Sequence, residues 1–448
     1  MGSLLTGPTL RHDLTASLVV FLVAVPLCVG VAVASGVPAE LGLITGIVGG
    51  LVTGAMRGSS LQVSGPAAGL TVLVYEAVDT FGLPALGVVV LSAGLLQLAM
   101  GALGVGRWFR AISVSVVEGM LAGIGLVLIA GQFYALVAAE APASGPAKLA
   151  GIPGALADAL GDPRASSSLA LGGGTLLLLV LWPRLPRRLH VIPGPLAAVG
   201  LVTLVTVVSS APVATVRVSG LLDAVQPPPP EAFGGLLGPE LLGTVVAFTL
   251  IASAESLFSA AAVDRMHDGP RTAYDKELMA QGAGNTVCGV LGALPMTAVI
   301  VRSAANVQAG ARTRASRVLH GVWLLLFAAA LPGVLALIPV PALAGVLVHA
   351  GAKLVPVRSI ARLWREHRGE AVVLGVTAVS IVTVGMFEGV LVGLGLSVAK
   401  TAWDASQVKV DVTDKGAGPV QARITGNATF LRLPAILDTL EALPQDRP

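Results

Sequence analysis

A single arginine, Arg302, lies inside a short apolar segment of the chain. The segment covers residues 294–310 and reads LPMTAVIVRSAANVQAG. An arginine at the centre of a membrane-spanning helix costs at least about 2.5–3.5 kcal/mol, so it needs an anion, a carboxylate partner or a water-filled path. Pro295 and Gly310 bracket the segment, which is too short to span a bilayer as a plain helix. A broken helix with a buried cation is typical of an anion site in a membrane protein.

Two acidic residues in other apolar segments are candidates for carrying a proton. Glu255 lies at the middle of one segment, and Ser259 follows one helical turn later on the same face. Glu255 either pairs with Arg302 or takes up a proton, and the two interpretations overlap because such a pair would also respond to protonation. Glu40 opens another segment, either as an ordinary N-terminal helix charge or as a proton-sensing group. Glu255 is the first candidate for proton coupling and Glu40 the second.

The histidine pattern and the nucleophiles indicate neither a metal site nor an enzyme. His190, His320 and His349 fall at predicted membrane edges, without the spacing of metal ligands. The glycines at 172–174 lie in an apolar segment that has no P-loop lysine. We therefore expect no metal, no cofactor and no catalytic residue.

The composition identifies an integral membrane protein. The 448 residues are 54% hydrophobic and 12% charged, and the mean hydropathy is +0.85. The 55 glycines and 29 prolines fit closely packed and interrupted transmembrane helices. The net charge of +3 gives no reason to expect nucleic acid, because the basic residues are spread over short loops. The lipid bilayer is thus the expected surrounding of most of the chain.

Fourteen apolar segments are candidate spans. They cover residues 14–34, 38–56, 65–80, 84–103, 112–138, 167–183, 193–210, 240–262, 277–294, 297–310, 316–338, 341–354, 371–386 and 388–403. If the N-terminus is cytoplasmic, the inner loops hold seventeen Lys and Arg residues and the outer loops only three. This asymmetry predicts that both termini lie in the cytoplasm. Arg302 is the only basic residue that we place in the interior of a span.

The third and tenth spans have matching interruptions, which suggests an inverted repeat of seven plus seven spans. Residues 61–70 read LQVSGPAAGL and residues 291–298 read LGALPMTA, so each span opens on a Gly/Pro-interrupted segment. Two half-helices would then point their N-termini, each with roughly half a positive charge, at a common point near the midplane. Gly65 and Pro66 taken alone could equally mark a loop or a kink.

Several stretches resemble the SulP family, the sulfate-permease group of anion transporters. They are DLTASLVVFLVAVPLCVGVAVASGVP (13–38), LQVSGPAAGLTVLV (61–74), ESLFSAAAVDR (255–265), KELMAQGAGN (276–285) and VRSAANVQAGARTRAS (301–316). The resemblance implies an all-α transmembrane domain over residues 1–403 with a UraA-like fold. It further implies an elevator-like movement of a core domain, about 10–103 and 240–338, against a gate domain, about 104–239 and 339–403. The anion would lie between the broken third and tenth helices.

The resemblance also assigns the candidate substrate-binding residues. They are Pro66, Ala67, Ala68, Gly69, Glu255, Ser259, Val299, Ile300, Val301, Arg302 and Ser303. Glu255 and Ser259 stand where sodium-coupled bicarbonate carriers of the family have an aspartate and a threonine, and Ala67 replaces another hydroxyl residue of those carriers. This incomplete sodium site favours proton coupling or exchange over sodium coupling.

Outside the spans, the sequence predicts little structure before its last 45 residues. Residues 139–165 are expected to form a loop with at most a short helix, and 227–230 an extended spacer. Residues 407–414 and 420–431 read as strands and 433–443 as an amphipathic helix. This pattern resembles the start of a STAS domain, the cytoplasmic appendage of the family, so we expect 404–448 to be a truncated one.

The expected function is secondary active transport of a small anion across a bacterial inner membrane, with proton symport as the coupling. Sulfate, bicarbonate, chloride and dicarboxylates such as fumarate or succinate all stay open as substrates. An anion exchanger, an anion channel or a voltage-responsive motor is the alternative, and a purine or uracil permease on the same fold is disfavoured. A homodimer is compatible with the resemblance.

Overall fold

The computed structural model is dominated by apolar helices. It describes residues 7–111, 113–142, 144–186, 188–189, 192–217, 220–406, 408–413, 421–426 and 433–442. Six helices in these ranges are long and apolar enough to cross a membrane: Thr9–Ala34, Leu83–Ala102, Val114–Leu136, Pro163–Arg184, Pro239–Val263 and Val340–Glu366. Shorter apolar helices cover Ala39–Thr53, Gly194–Ser209 and Ala315–Ala330. The chain is a multi-pass membrane protein.

Eighteen α-helices and four strands make up the described chain. The helices are α1 (Gly7–Ala34), α2 (Ala39–Val48), α3 (Thr71–Phe81), α4 (Leu83–Ala102), α5 (Val114–Leu136), α6 (Gly145–Gly161), α7 (Pro163–Leu181), α8 (Gly194–Ser209), α9 (Pro239–Val263), α10 (Tyr274–Val290), α11 (Ile300–Gln308), α12 (Ala315–Ala330), α13 (Pro332–Leu335), α14 (Val340–Leu354), α15 (Val357–Glu366), α16 (Arg368–Thr383), α17 (Met386–Ala405) and α18 (Leu433–Glu441). The strands are β1 (Ser64–Pro66), β2 (Met296–Ala298), β3 (Val408–Thr413) and β4 (Gln421–Gly426). Each of the fourteen predicted spans contains a helix, while the number of crossings stays a prediction.

Proline and side-chain caps mark where many of these helices begin. A proline stands in the first turn of α4, α7, α8, α9 and α14, where its missing N–H costs no intrahelical hydrogen bond. At α7 the Asp162 carboxylate also accepts hydrogen bonds from the backbone N–H groups of Arg164 and Ala165. The local sequence therefore specifies where these helices begin.

The helices form two packed groups. In one group α1, α2, α4, α9, α10 and α12 pack on one another, and in the other α5, α7, α8, α14, α16 and α17 do so. The first group includes a close crossing, since a Cβ added to Gly50 would come within 2.5 Å of the Gly321 Cα. Helix α1 also contacts α8 and α14, and it thereby joins the two groups.

Two predicted segments differ from the structure, because prolines were given too much weight in one and too little in the other. The prediction of a loop over 139–165 is wrong: α6 occupies seventeen of these residues. Its start is capped by the Ser144 side chain, and it accommodates Pro153 within the helix. The span expected over 316–338 is broken, because α12 ends at Ala330 and Pro332 starts the separate α13.

The last segment contains a hairpin followed by a helix. Strands β3 and β4 pair antiparallel, with Val408 opposite Gly426. Residues 427–431, which we expected to extend the second strand, lie outside the described residues. The start of a STAS domain stays a prediction.

Candidate functional site

Two short helices begin side by side, directly after a pair of short strands. β1 and β2 pair antiparallel, with Gly65 opposite Thr297. Ala67 extends β1 before a 3-10 turn and α3, and Val299 extends β2 before α11. Because the strands run antiparallel, the two helices leave their adjacent N-termini in opposite directions. Neither Ala67 nor Val299 has a polar side chain to cap the first N–H groups, which suits these ends for an anion.

The two N-termini form one wall of a cavity of about 80 Å³. The lining includes Pro66, Ala67, Ala68 and Gly69 from the first half-helix, Val299, Ile300, Val301 and Arg302 from the second, and Glu255 and Ser259 from α9. The opposite walls are apolar and come from α1, α5 and α14, with Leu27, Val31, Val117, Met120, Leu121, Ala350 and Leu354. All predicted substrate-binding residues except Ser303 thus meet at one cavity.

Glu255 lies close to the first turn of the first half-helix. A Cβ added to Gly69 would be 2.8 Å and 2.9 Å from the two carboxylate oxygens of Glu255. The Thr297 hydroxyl on β2 interacts with the same carboxyl group. Among the described residues, the buried Oε2 atom has no hydrogen-bond partner. Glu255 therefore lies where the two half-helices meet, as the sequence predicts.

Arg302 is fully buried, and its guanidinium packs behind the strand that leads into the first half-helix. Nη2 lies 3.4 Å from the Pro66 carbonyl oxygen, and the Cys28 thiol is within hydrogen-bonding reach. Gly65 is required here, because any Cβ would collide with Nη1. Ion pairs in the described chain are those of Lys400 with Glu370 and Asp404, so the pairing of Arg302 with Glu255 is not formed.

Ser303 and Glu40 lie outside the cavity. The Ser303 hydroxyl accepts a hydrogen bond from the Val63 N–H at 2.9 Å and donates one to the Val299 carbonyl at 2.8 Å. Ser303 therefore holds the strands together instead of lining the site. Glu40 is buried in the first turn of α2, and the structure does not bring it to the cavity lining.

A polar network in the first helix group holds the two strands in place. The Gln62 side chain donates to the Ser256 carbonyl at 2.8 Å, and the Ser256 hydroxyl accepts from the Ala298 N–H at 3.2 Å. Asn285 accepts from the Met296 N–H at 2.7 Å and donates to the Met296 carbonyl at 3.1 Å. The sequence analysis did not select these residues, although the QGAGN run on α10 places two amides in an apolar helix.

A second buried charge, Arg317, was missed. Its exposed fraction is 1%, and it donates to the carbonyl oxygens of Ser59 and Thr53. The Glu277 carboxylate accepts from the Ser59 N–H at 2.7 Å. Arg317 lies in the first turn of α12, so the described chain contains a buried arginine in addition to Arg302. We had counted Arg317 with the loop charges. In the structure, the backbone at Ser59 lies against its guanidinium and accepts a hydrogen bond from it.

Comparisons with known proteins agree with this architecture. The profile of the Sulfate permease family matches residues 10–377. The bicarbonate transporter BicA of Picosynechococcus sp. is 25% identical over 412 residues, which cover 87% of this chain and 69% of that protein. The sodium-independent sulfate anion transporter of Bos taurus is 26% identical over 479 residues, covering 98% and 76%.

A solved structure shows the same fold. The transmembrane domain of a cyanobacterial bicarbonate transporter BicA superposes with a TM-score of 0.75 at 22% sequence identity, covering 88% of this chain and 98% of that one. These relatives are named as transporters and not as enzymes. The family match covers most of the helical region described above, and the chain belongs to the sulfate permease family.

Proposed function

We propose that the protein is a secondary active transporter that carries a small inorganic or carboxylate anion together with a proton. The observation that carries this proposal is the meeting of two uncapped half-helix N-termini at one cavity that also contains Glu255. Each N-terminus contributes roughly half a positive charge. The backbone amides at 67–69 and 300–302 would donate to the anion.

Arg302 stabilises the bound anion through its positive charge and stabilises the strand that leads to the first N-terminus through its packing. Its guanidinium contacts the Pro66 carbonyl, so it stabilises the strand that ends at the first N-terminus. A buried positive charge also lowers the electrostatic cost of an anion nearby, because the surrounding dielectric constant is low. We therefore assign the Arg302 side chain a positioning and electrostatic role.

Glu255 is the proposed proton carrier. A carboxylate and a substrate anion about 4 Å apart would repel each other by about 4 kcal/mol at an effective dielectric constant of 20. Protonation of Glu255 removes this repulsion and cancels one negative charge of the complex. The proton and the anion would then cross the membrane together at a smaller electrostatic cost. Glu40 stays the second candidate.

The two helix groups support an elevator-type movement. We propose that the first group, to which the half-helices connect, is the moving core over about 10–103 and 240–338. Helices α5 and α14 of the second group contribute apolar residues to the cavity wall. A smooth apolar wall offers no hydrogen bonds that would fix the core in one position. We place both termini in the cytoplasm and the protein in a bacterial inner membrane, from the loop charges.

One contact region favours a carrier over an anion channel. The buried face of α3 packs in one hydrophobic cluster with residues of the second group. The cluster includes Leu73, Val74 and Ala77 of α3, Met120 and Ile124 of α5, Ile381 of α16 and Met386 of α17. Beyond this cluster Lys148 of α6 is buried, with its Nζ 5.9 Å from the centre of the Tyr75 ring. Burial lowers the pKa of Lys148, and the nearby Glu76 carboxylate opposes that shift. The outer half of α3 is thus packed against the second group, which supports alternating access.

Uptake into proteoliposomes tests the proposal. The purified chain is reconstituted, and labelled sulfate, bicarbonate, chloride, fumarate and succinate are offered with an imposed proton gradient, a sodium gradient or neither. A symporter gives saturable uptake that an inward proton gradient increases. An exchanger needs an anion on the opposite side, and a channel gives current without substrate saturation. Absence of uptake of every anion under every gradient would contradict anion transport.

A further inference from the structure

The carboxylate of Glu255 lies against the first turn of the first half-helix. Both carboxylate oxygens lie within 3 Å of the position of a Cβ on Gly69. Gly69 belongs to the 3-10 turn that begins the half-helix. The absence of a side chain at Gly69 is what lets the carboxylate approach the helix end so closely, because any Cβ would strike it.

The surroundings of Glu255 contain few groups that could satisfy a charged carboxylate. The Thr297 hydroxyl interacts with it, while its buried Oε2 atom has no hydrogen-bond partner among the described residues. Arg302 is the other ionisable residue of the cavity lining, and its Nη2 faces the Pro66 carbonyl. The other ionisable residues on the surrounding helices lie outside the lining; they include Asp13 and Cys28 on α1, Tyr75, Glu76 and Asp79 on α3, Glu118 on α5, Glu277 on α10, and His349 and Lys353 on α14.

We propose that ionised Glu255 acts as a tethered competitor, whose carboxylate occupies the half-helix N-terminus in the empty carrier and must be protonated before the substrate anion can bind there. The inference rests on the proposed anion site. It adds that the substrate anion and the ionised carboxylate exclude each other. One proton is then bound for each anion, and it stays on a Glu255 carboxyl oxygen while the anion occupies the site.

A negative group lies at the positive end of the first half-helix both in the empty carrier and in the carrier with bound anion. Without substrate, the carboxylate takes the place of the anion at the first turn, which is a favourable position for a negative group. With substrate, the neutral carboxyl group leaves the helix end to the anion.

Binding measurements as a function of pH test the inference. Sulfate, chloride and fumarate are the probes, because none of them titrates between about pH 6 and 8.5. Their dissociation constants are measured by calorimetry on the full chain in detergent, in buffers of different ionisation enthalpy, which also gives the number of protons taken up. For the parent protein we expect the affinity to fall with rising pH, approaching tenfold per pH unit, with uptake of up to one proton per anion.

Two variants and a control identify the group. Glu255→Gln should bind the anion with an affinity that does not depend on pH and without proton uptake. Glu255→Asp carries a shorter side chain that reaches Gly69 less well, so it should still titrate but should weaken anion binding less at high pH. Glu76→Gln, an acid outside the cavity lining on α3, should behave like the parent. Size-exclusion chromatography establishes that each variant is folded.

The outcomes separate this inference from the proposed function. If the parent binds none of the three probes at any pH, the anion site itself is contradicted. If a probe binds with an affinity that does not depend on pH, or if Glu255→Gln keeps the pH dependence and proton uptake of the parent, the tethered competitor is overturned while the anion site remains.

Discussion

At the scale of single residues, two buried charges act differently on the same pair of helix ends. Glu255 reaches the first turn of a half-helix at Gly69, whereas the Arg302 guanidinium contacts the Pro66 carbonyl behind it. The sequence identified both residues, because charges in apolar segments are conspicuous. It could not predict how each side chain lies against the half-helix, since that depends on how Gly65 and Gly69 let neighbouring side chains approach.

Substitution of Arg302 tests its electrostatic role. Arg302→Ala should weaken anion binding by about tenfold or more, which corresponds to at least about 1.4 kcal/mol, because a buried positive charge is lost. Arg302→Lys should retain part of the affinity, since it keeps the charge and loses the planar guanidinium. Equilibrium binding measures both variants, and thermal unfolding provides the control. An unchanged affinity in the alanine variant would remove Arg302 from the site.

Ala68 tests the position of the anion. Ala68 lines the cavity at the start of the first half-helix, so Ala68→Leu should fill the anion's place and reduce uptake by at least about tenfold, with overpacking adding to the effect. Ala330→Leu is the matched control, because Ala330 is exposed at the end of α12. Transport by the Ala68 variant at the rate of the parent would place the substrate elsewhere.

At the scale of elements, the half-helices depend on the strands that precede them. β1 and β2 are only three residues long, so side chains from neighbouring helices have to hold their position. Asn285 satisfies both backbone groups of Met296 and also donates to the Gln97 side chain at 2.8 Å. This explains why polar amides lie inside otherwise apolar helices.

Removal of the Asn285 amide should therefore loosen β2. Asn285→Ala leaves buried backbone groups of Met296 without partners, at a cost of about 1–3 kcal/mol for each group. We expect a lower unfolding temperature and weaker anion binding. Thr286→Ala is the control on the same helix, because the Thr286 hydroxyl bonds only to the Gly282 carbonyl within α10 in the described structure. Equal losses in both variants would show that the effect is a general weakening of α10.

The sequence predicted the elements around the site better than their contacts. Paired Gly/Pro interruptions at 61–70 and 291–298 were enough to anticipate two opposed half-helices, and β1–β2 pairing brings them together. Helix α6 was missed because its alanine, glycine and proline content is typical of a loop, although the Ser144 cap starts it. The approach of Glu255 to Gly69 could not be predicted, because 186 positions separate the two residues in the sequence.

At the scale of the whole molecule, the two helix groups are joined by a limited set of contacts. Helix α1 packs on α8 and α14, and α3 packs on α5. Tyr75 of α3 and Lys148 of α6 face each other across this boundary. Movement of the half-helices past α5 and α14 would have to separate Tyr75 from Lys148, which makes the pair a sensitive point at which to test the elevator proposal.

A cross-link across this boundary should stop transport. We expect a flexible bismaleimide that joins Tyr75→Cys to Lys148→Cys to reduce uptake to background, because it ties the half-helix α3 to the second group through α6. The native Cys28 and Cys288 are replaced by alanine, so that the reagent can act only at the introduced cysteines. The control pair, Phe133→Cys with Ala155→Cys, joins α5 to α6, which pack together, and should leave uptake unchanged. Full transport by the cross-linked Tyr75–Lys148 variant would contradict movement of α3 relative to α6, and the elevator proposal with it.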